Sequence, residues 1–149
     1  MIRCAFLGCL LLVVPQLAAQ DILGKLSVIS KSKPEIKKLG VIYNSTTMEA
    51  AAIPNGIGDL QIVKIPIADM RELGPALNTG LKKFDIQAIF LLDDGQKLVT
   101  NGRTVRYILK QGLKREFQVF SDAENLEVKV TGKIVLSGGQ LQLDLGEDQ

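Results

Sequence analysis

From Leu39 onward, short apolar runs alternate with turn-rich or helix-periodic stretches, and this alternation most constrains the fold. The runs occupy residues 39–43, 60–67, 85–94 and 117–120. Strands that alternate with helices in this way form parallel sheets covered by crossover helices. At 149 residues the chain can bury one core. The sequence therefore predicts an α/β fold: one three-layer domain, residues 39–145, with a mainly parallel sheet.

Two segments between these runs have helical periodicity, and a short helix is expected at 48–53. In the first segment the apolar positions are Met70, Leu73, Leu77, Leu81 and Phe84. Pro75 belongs in a first turn, so this helix should begin at Gly74 or Pro75, after a turn capped by Asp69 and Glu72. The second helix should follow an N-cap at Asn101, or alternatively Thr100. Its basic face, Arg103 to Lys114, is either solvated surface or a docking face for a partner.

The run at 85–94 is apolar on both faces, which predicts a central strand. The end of the chain instead alternates apolar and polar residues around Gly138 and Gly139, which predicts an antiparallel β-hairpin over 126–145 with a two-residue turn. Residues 146–149 should be a frayed tail. The predicted buried side of the hairpin consists of Val128, Val130, Ile134, Leu136, Leu141, Leu143 and Leu145.

The N-terminal stretch MIRCAFLGCLLLVVPQLAAQ has one arginine, a leucine-rich run and then small residues, the pattern of a secretory signal peptide. We predict a signal peptide at 1–19 with cleavage near Ala19, a linker at 20–38, and a secreted, periplasmic protein. A membrane anchor is the alternative, but Pro15 and Gln16 interrupt the apolar run. The stretch FLGC faintly resembles a lipoprotein cleavage site.

Hydrolytic and metal chemistry usually needs histidine, cysteine or a cluster of metal ligands. This sequence offers few such residues. It has no histidine, and both of its cysteines, Cys4 and Cys9, lie in the predicted leader. We therefore predict no catalytic residue, no metal and no cofactor. Removing Arg3 with the leader leaves 17 basic and 16 acidic residues. This balance argues against a nucleic-acid or anionic-lipid partner.

Short polar residues follow three of the predicted strands. Carboxyl ends of parallel strands meet at one edge of the sheet, where open α/β sheets bind ligands. The structural alternative is that Asp93, Asp94 and Gly95 form only a turn. A Mg²⁺ site on the two aspartates is disfavoured because no acid follows the first strand. The predicted ligand or partner rim comprises Asn44, Ser45, Thr46, Asp93, Asp94, Ser121 and Asp122.

Three stretches carry a family resemblance: LGVIYNSTTMEA, ELGPALNTGLKKFDIQAIFLLDD and LVTNGRTVRYILKQGLKREFQVFSD. Together they make residues 39–122 resemble the second lobe of the periplasmic substrate-binding proteins of ABC transporters, a type I periplasmic-binding-protein-like lobe. In that family the loops after the strands face the ligand cleft. The resemblance implies ligand-contacting positions at Ser45, Thr46, Asp93, Asp94 and Ser121.

The chain departs from that family because it has sequence for a single lobe and a hairpin where a second lobe would continue. We expect an exported, non-enzymatic binding protein resembling a transporter's substrate-binding component. The alternative is a small periplasmic adaptor or regulator that docks on a membrane protein. The expected partners are an unknown small solute or that membrane protein, with a homodimer or a separate second lobe completing the site.

Overall fold

The computed structural model describes residues 13–146, with side chains described from residue 21. The helices are α1 (Val13–Ser32), α2 (Leu73–Lys83) and α3 (Gly102–Arg115). The strands are β1 (Lys38–Asn44), β2 (Gly56–Ile57), β3 (Leu60–Ile67), β4 (Ala88–Leu91), β5 (Gln118–Ser121), β6 (Gly132–Ser137) and β7 (Gln140–Asp144). Short 3-10 turns occupy Ala50–Ala52 and Met70–Glu72.

The seven strands form one sheet in the order β2-β3-β1-β4-β5-β6-β7. The pairs from β3 through β6 are all parallel, and β2 and β7 are added antiparallel at the two edges. Every residue of β4 is buried, and β4 is the middle strand of the seven, which confirms the prediction of a central strand. The chain is therefore α/β with a mostly parallel sheet and an antiparallel C-terminal pair.

Two apolar cores separate the three layers. On one face of the sheet, α1 covers Leu39, Val41 and Phe90. On the other face, α2 and α3 pack through Leu77, Val105 and Ile108 against the opposite side of the same strands. Because successive strand residues point to opposite faces, each central strand supplies side chains to both cores.

Helix α1 corrects the prediction of a linker at 20–38, because this segment is helical as far as Ser32. Ile22, Leu26 and Ile29 recur at helical spacing and are buried against the sheet. The predicted leader, 1–19, lies partly outside the described residues, and only the backbone of its last turns is seen, as the start of α1. None of the helices in residues 13–146 is long and apolar enough to cross a membrane.

The helix starts follow the expected capping chemistry. Asp69 accepts a hydrogen bond from the Arg71 amide (2.8 Å) and Glu72 accepts one from the Ala68 amide (2.7 Å), so both cap the turn before α2 as predicted. Helix α2 begins one residue earlier than expected, with Pro75 in its first turn. The Asn101 side chain accepts from the Thr104 amide (2.9 Å), which confirms Asn101 as the N-cap of α3.

The C-terminal hairpin is confirmed, with Ser137 paired to Gln140 across a two-residue turn. Gly138 and Gly139 have φ of +58° and +80°, which this tight turn requires and other residues rarely adopt. β5 ends at Ser121 opposite Lys133. The rest of β6 and the turn therefore continue past the carboxyl edge of the parallel strands.

The predicted extent and buried side of the hairpin were partly wrong. β6 begins only at Gly132, because the Thr131 hydroxyl, rather than a backbone carbonyl, accepts from the Val119 amide (3.0 Å). Val128 and Val130 pack on the α2–α3 face, whereas Ile134, Leu141 and Leu143 pack on the α1 face. Leu136 and Leu145 are 71% and 44% exposed, since no described element covers them. Residues 147–149 of the predicted tail lie outside the described residues.

We predict that α1 is a structural layer of the domain. Leu26 is fully buried, so Leu26→Ala should lower the free energy of unfolding by about 2–5 kcal/mol. Leu23, one turn earlier and 44% exposed, supplies the matched control, and Leu23→Ala should change it by less than about 1 kcal/mol. Urea denaturation measures both, and equal effects would show that α1 does not belong to the core.

Candidate functional site

The parallel strands bring their following loops to one edge of the sheet, called here the carboxyl edge. A cleft of about 390 Å³ opens there between the loops after β4 and β5, the start of α3 and the side of α1. We call this the polar cleft. It is lined by Lys25, Asp93, Gly95, Lys97, Thr100, Asn101, Gly102, Asp122, Ala123, Glu124, Asn125 and Glu127.

A second cleft, of about 460 Å³, lies beside the polar cleft and is walled by the hairpin. We call it the hairpin cleft. Ile134, Val135 and Leu136 of β6 form part of its wall. The two clefts share Lys25, Asp122 and Glu124 in their linings. Lys25 and Asp122 thus form part of the wall between the two clefts.

Each carboxylate oxygen of Asp122, at the carboxyl edge, accepts a hydrogen bond from within the protein. Its side chain is only 2% exposed. Lys25 Nζ donates to Oδ2 at 2.8 Å, and the Asp93 amide donates to Oδ1 at 2.8 Å. Lys25 also lies 2.9 Å from Asp21, one turn earlier on α1. Asp122 therefore joins α1, the β4 loop and the end of β5.

Burial raises the pKa of the Asp122 carboxyl, and the hydrogen bonds from Lys25 and the Asp93 amide offset only part of the rise. Burial lowers the pKa of the Lys25 ammonium, but the hydrogen bonds and charges of Asp122 and Asp21 outweigh it, so this pKa is also raised. The two pKa values thus move in the same direction. Lys25 stays charged at neutral pH, and Asp122 is the partner whose charge is costly to bury.

The aspartates after β4 bond mainly to their own loop. Asp93 Oδ1 accepts from the Gly95 amide (3.1 Å), and Asp94 Oδ1 accepts from the Gln96 amide (2.9 Å). These hydrogen bonds from side chain to backbone are typical of a turn, as the structural alternative for these residues predicts. Asp94 also accepts a hydrogen bond from the Thr47 hydroxyl, which ties the β4 loop to the β1 loop.

The pKa of the Asp94 carboxyl reflects these contacts. Partial burial would raise this pKa, but hydrogen bonds from Thr47, the Gln96 amide and Asn44 outweigh burial and hold it below its usual range. A carboxylate with several donors of this kind stays charged well into acid. Asp94 therefore acts as a fixed anion that organises two loops rather than as a proton donor or acceptor near neutral pH.

The N-terminal end of α3 already has an anion of its own. A Cβ at position 102 would meet the Glu127 carboxylate, so this side chain lies directly against the start of α3. The Glu127 carboxylate, in the segment after β5, also lies 3.7 Å from the guanidinium of Arg106 on α3. A carboxylate at this position is favoured by the partial positive charge of the helix start. Glu127 thus occupies the N-terminal end of α3, the position where the helix would otherwise attract an anionic ligand.

The charge of the polar cleft follows from its lining. Four carboxylates, from Asp93, Asp122, Glu124 and Glu127, face two ammonium groups, from Lys25 and Lys97. The excess of two negative charges disfavours oxyanions. A neutral polar group or an amine would instead find carboxylate acceptors together with Thr100 and Asn125.

The structure separates the predicted rim residues into three groups. Asp93 and Asp122 line the polar cleft. Ser45 and Thr46 are exposed on the β1 loop and line neither cleft, and Asp94 bonds within the loops. The placement of Asn44 and Ser121 on an accessible rim is corrected, because they are only 4% and 0% exposed.

Both buried side chains have partners within the protein. The Ser121 hydroxyl donates to the Leu91 carbonyl (3.0 Å) and accepts from the Ala123 amide (3.2 Å). The Asn44 carbonyl oxygen of the side chain accepts from the Thr46 amide (3.0 Å) and hydroxyl (2.7 Å). These contacts shape the strand ends and leave neither group facing a ligand.

Sequence reasoning missed several cleft residues, most importantly Lys25. Its signal was the helical spacing of Ile22, Leu26 and Ile29, hidden directly after the predicted leader. Thr100 was considered only as a helix cap, and no signal in the irregular segment after β5 distinguished Asn125 or Glu127.

Comparison with known proteins assigns no family: no protein-family model matches the chain, and a search of curated proteins found no significant match. Within residues 13–146 there is also no group of three or more histidine, cysteine, aspartate or glutamate side chains placed to hold a metal ion.

We predict that the two serines of the expected rim differ in role. Ser121→Ala leaves the Ala123 amide without its buried acceptor and should lower the free energy of unfolding by about 1–3 kcal/mol. Ser45→Ala, at an exposed position, should change it by less than about 0.5 kcal/mol. Chemical denaturation of the two variants distinguishes these outcomes, and a neutral Ser121→Ala would contradict the structural role.

Proposed function

We propose that this chain is an exported, non-enzymatic binding protein that takes a small polar solute at the carboxyl edge, in the manner of an ABC transporter's substrate-binding component. The observation that carries the proposal is the polar cleft, at the position where open α/β sheets bind ligands. Its volume of about 390 Å³ suits a molecule of amino-acid or monosaccharide size.

The chemistry of the cleft favours a solute that donates hydrogen bonds. The Asp93 carboxylate is held by the Gly95 amide and the Thr100 hydroxyl, and its backbone amide is held by the buried Asp122, so the position of Asp93 does not depend on a ligand. Preorganised acceptors bind without the entropic cost of ordering them. With its excess negative charge the cleft should prefer an amine or a neutral polyol to a phosphate or sulfate.

The non-enzymatic part of the proposal is supported by the residues of the cleft. It contains no histidine, cysteine or serine, and Asp93 and Asp122 each bond to backbone groups. General acid–base work needs a group that can exchange protons with a substrate. Carboxylates that are already hydrogen-bonded to backbone amides suit ligand recognition better than proton transfer.

The outer rim of the polar cleft consists of exposed residues, among them Lys97, Glu124 and Asn125, so a bound solute would keep one side open to water. Sites that bury most of a ligand bind more tightly. We therefore place the affinity of the isolated chain in a weak range, with a second lobe or a second copy closing the site.

The alternative function, a periplasmic adaptor, is supported by the hairpin. Its tip extends past the carboxyl edge, and Leu136 near the tip is 71% exposed beside the hairpin cleft. An exposed leucine on a projecting arm can anchor a protein contact. On this alternative the hairpin, rather than the polar cleft, docks on a membrane protein.

We predict that a compound bearing an amine or several hydroxyls raises the melting temperature of the chain, while oxyanions do not. A ligand at about a hundred times its dissociation constant adds about 2.7 kcal/mol of stability, a shift of about ten degrees for a domain of this size. Differential scanning fluorimetry with amino acids, amines, sugars, nucleosides and oxyanions measures the shift.

Matched glutamate variants locate the binding site. Glu124→Gln alters the polar cleft and should reduce the shift, whereas Glu49→Gln, exposed and outside both clefts, should preserve it. No shift across the whole panel would contradict solute binding and favour the adaptor. An equal response of the two variants would place the site elsewhere.

A further inference from the structure

The charge of this protein is segregated between its layers. Helices α2 and α3 together carry seven basic residues and no acidic residue: Lys82, Lys83, Arg103, Arg106, Lys110, Lys114 and Arg115. The whole chain has a formal net charge of +2, so the remainder carries −5, the difference between +2 and +7. The near-neutral total therefore conceals a strongly basic helical layer.

The outer face of α3 concentrates this charge. Arg103, Arg106, Lys110 and Lys114 recur three or four positions apart and are all exposed, so they form one stripe about three turns long. The opposite side of the helix, with Val105 and Ile108, is buried in the core. In the described part of the chain, Glu127 is the one acidic side chain within salt-bridge distance of a basic group of either helix.

Apolar side chains are exposed among these cations. Leu113 is 87% exposed and flanks the stripe on the side of Arg106, and Tyr107 is 37% exposed and flanks it on the other side. At the end of α2, Phe84 is 39% exposed, with Lys83 Nζ 5.4 Å from its ring centre. Exposing Leu113 almost completely to water serves no packing role in the domain.

We propose that the α2–α3 layer docks on an anionic lipid surface. The basic stripe supplies the electrostatic attraction, and Leu113 with Tyr107 enters the interface between the lipid headgroups and acyl chains. Long lysine and arginine side chains reach phosphates while their stems cover apolar surface. The proposal adds a second surface to the proposed function and does not depend on solute binding.

The composition of the stripe favours lipid over an acidic protein. The core of a protein–protein interface is depleted of charged residues. Here the cations run along the whole exposed face, as in the basic clusters on helices that bind anionic lipid headgroups. Docking through this lateral face also leaves the carboxyl edge accessible, because the polar cleft lies at the end of the strands.

Vesicle flotation tests the proposal on the purified full chain. We expect binding to phosphatidylcholine vesicles that contain phosphatidylglycerol, weakened by added salt, and much weaker binding to phosphatidylcholine alone. Binding to phosphatidylcholine alone reports any apolar attachment by other segments. Equal binding to the two vesicle types would overturn the proposal.

Charge-matched variants test the surface itself. Lys110→Gln with Lys114→Gln should weaken binding to phosphatidylglycerol vesicles roughly thirtyfold. Lys31→Gln with Lys37→Gln removes the same charge from exposed positions outside the α2–α3 layer and should weaken it much less. Equal losses in the two double variants would show a response to net charge alone and contradict the proposal.

Leu113→Gln distinguishes lipid from an acidic polypeptide. At 87% exposure the change should leave the melting temperature unaltered. It should still reduce binding to phosphatidylglycerol vesicles several-fold, because a leucine no longer enters the interface. An unchanged vesicle affinity, or tighter retention of the wild type by polyglutamate than by the vesicles, would overturn a lipid partner.

Discussion

The ion pair between Lys25 and Asp122 is the contact on which the carboxyl edge depends. It joins residues 97 positions apart, one on the first helix and one at the end of β5. Through its second oxygen, Asp122 also fixes the amide of Asp93 after β4. The other described contacts between α1 and the sheet are apolar, and such contacts are not directional. The pair therefore fixes how α1 and the loops meet.

A buried pair of this kind is a better source of specificity than of stability. The desolvation of Asp122 opposes the attraction to Lys25, as the raised pKa of the carboxyl indicates. The Lys25–Asp122 pair matters more for geometry than for stability, because both side chains line the polar cleft and the hairpin cleft. The candidate solute site and the hairpin thus rest on the same contact.

The basic layer of α2 and α3 lies on the other face of the sheet, which keeps its charge apart from the acidic edge.

The sequence predicts the local part of this structure well. Apolar runs mark β1, β3, β4 and β5, the pair Gly138–Gly139 marks the hairpin turn, and Asn101 marks the start of α3, because each pattern reflects chemistry within a few residues. The sequence also indicated that Asp93 and Asp122 would approach the same edge, since parallel strands align their carboxyl ends.

The remaining features depend on contacts between distant segments. Lys25 could not be assigned to the site, because nothing near it in sequence identifies Asp122 as its partner. Ser121 ends a strand like an exposed rim residue, yet its neighbours bury it completely. Position 132, at the start of β6, suits only glycine because Phe120 and Leu143 leave no room for a Cβ there. Such packing is visible only in three dimensions.

A double-mutant cycle on Lys25 and Asp122 tests the central role of this pair most directly. Lys25→Met leaves a buried carboxylate unpaired, and Asp122→Asn keeps an acceptor for the Asp93 amide while removing the charge. Unfolding of the wild type, both single variants and the double variant in urea at neutral pH gives the coupling energy. The buried geometry predicts a coupling of about 2 kcal/mol or more, with Lys25→Met alone destabilising by about 3–5 kcal/mol. Additive effects, each below about 1 kcal/mol as for exposed pairs, would contradict the account.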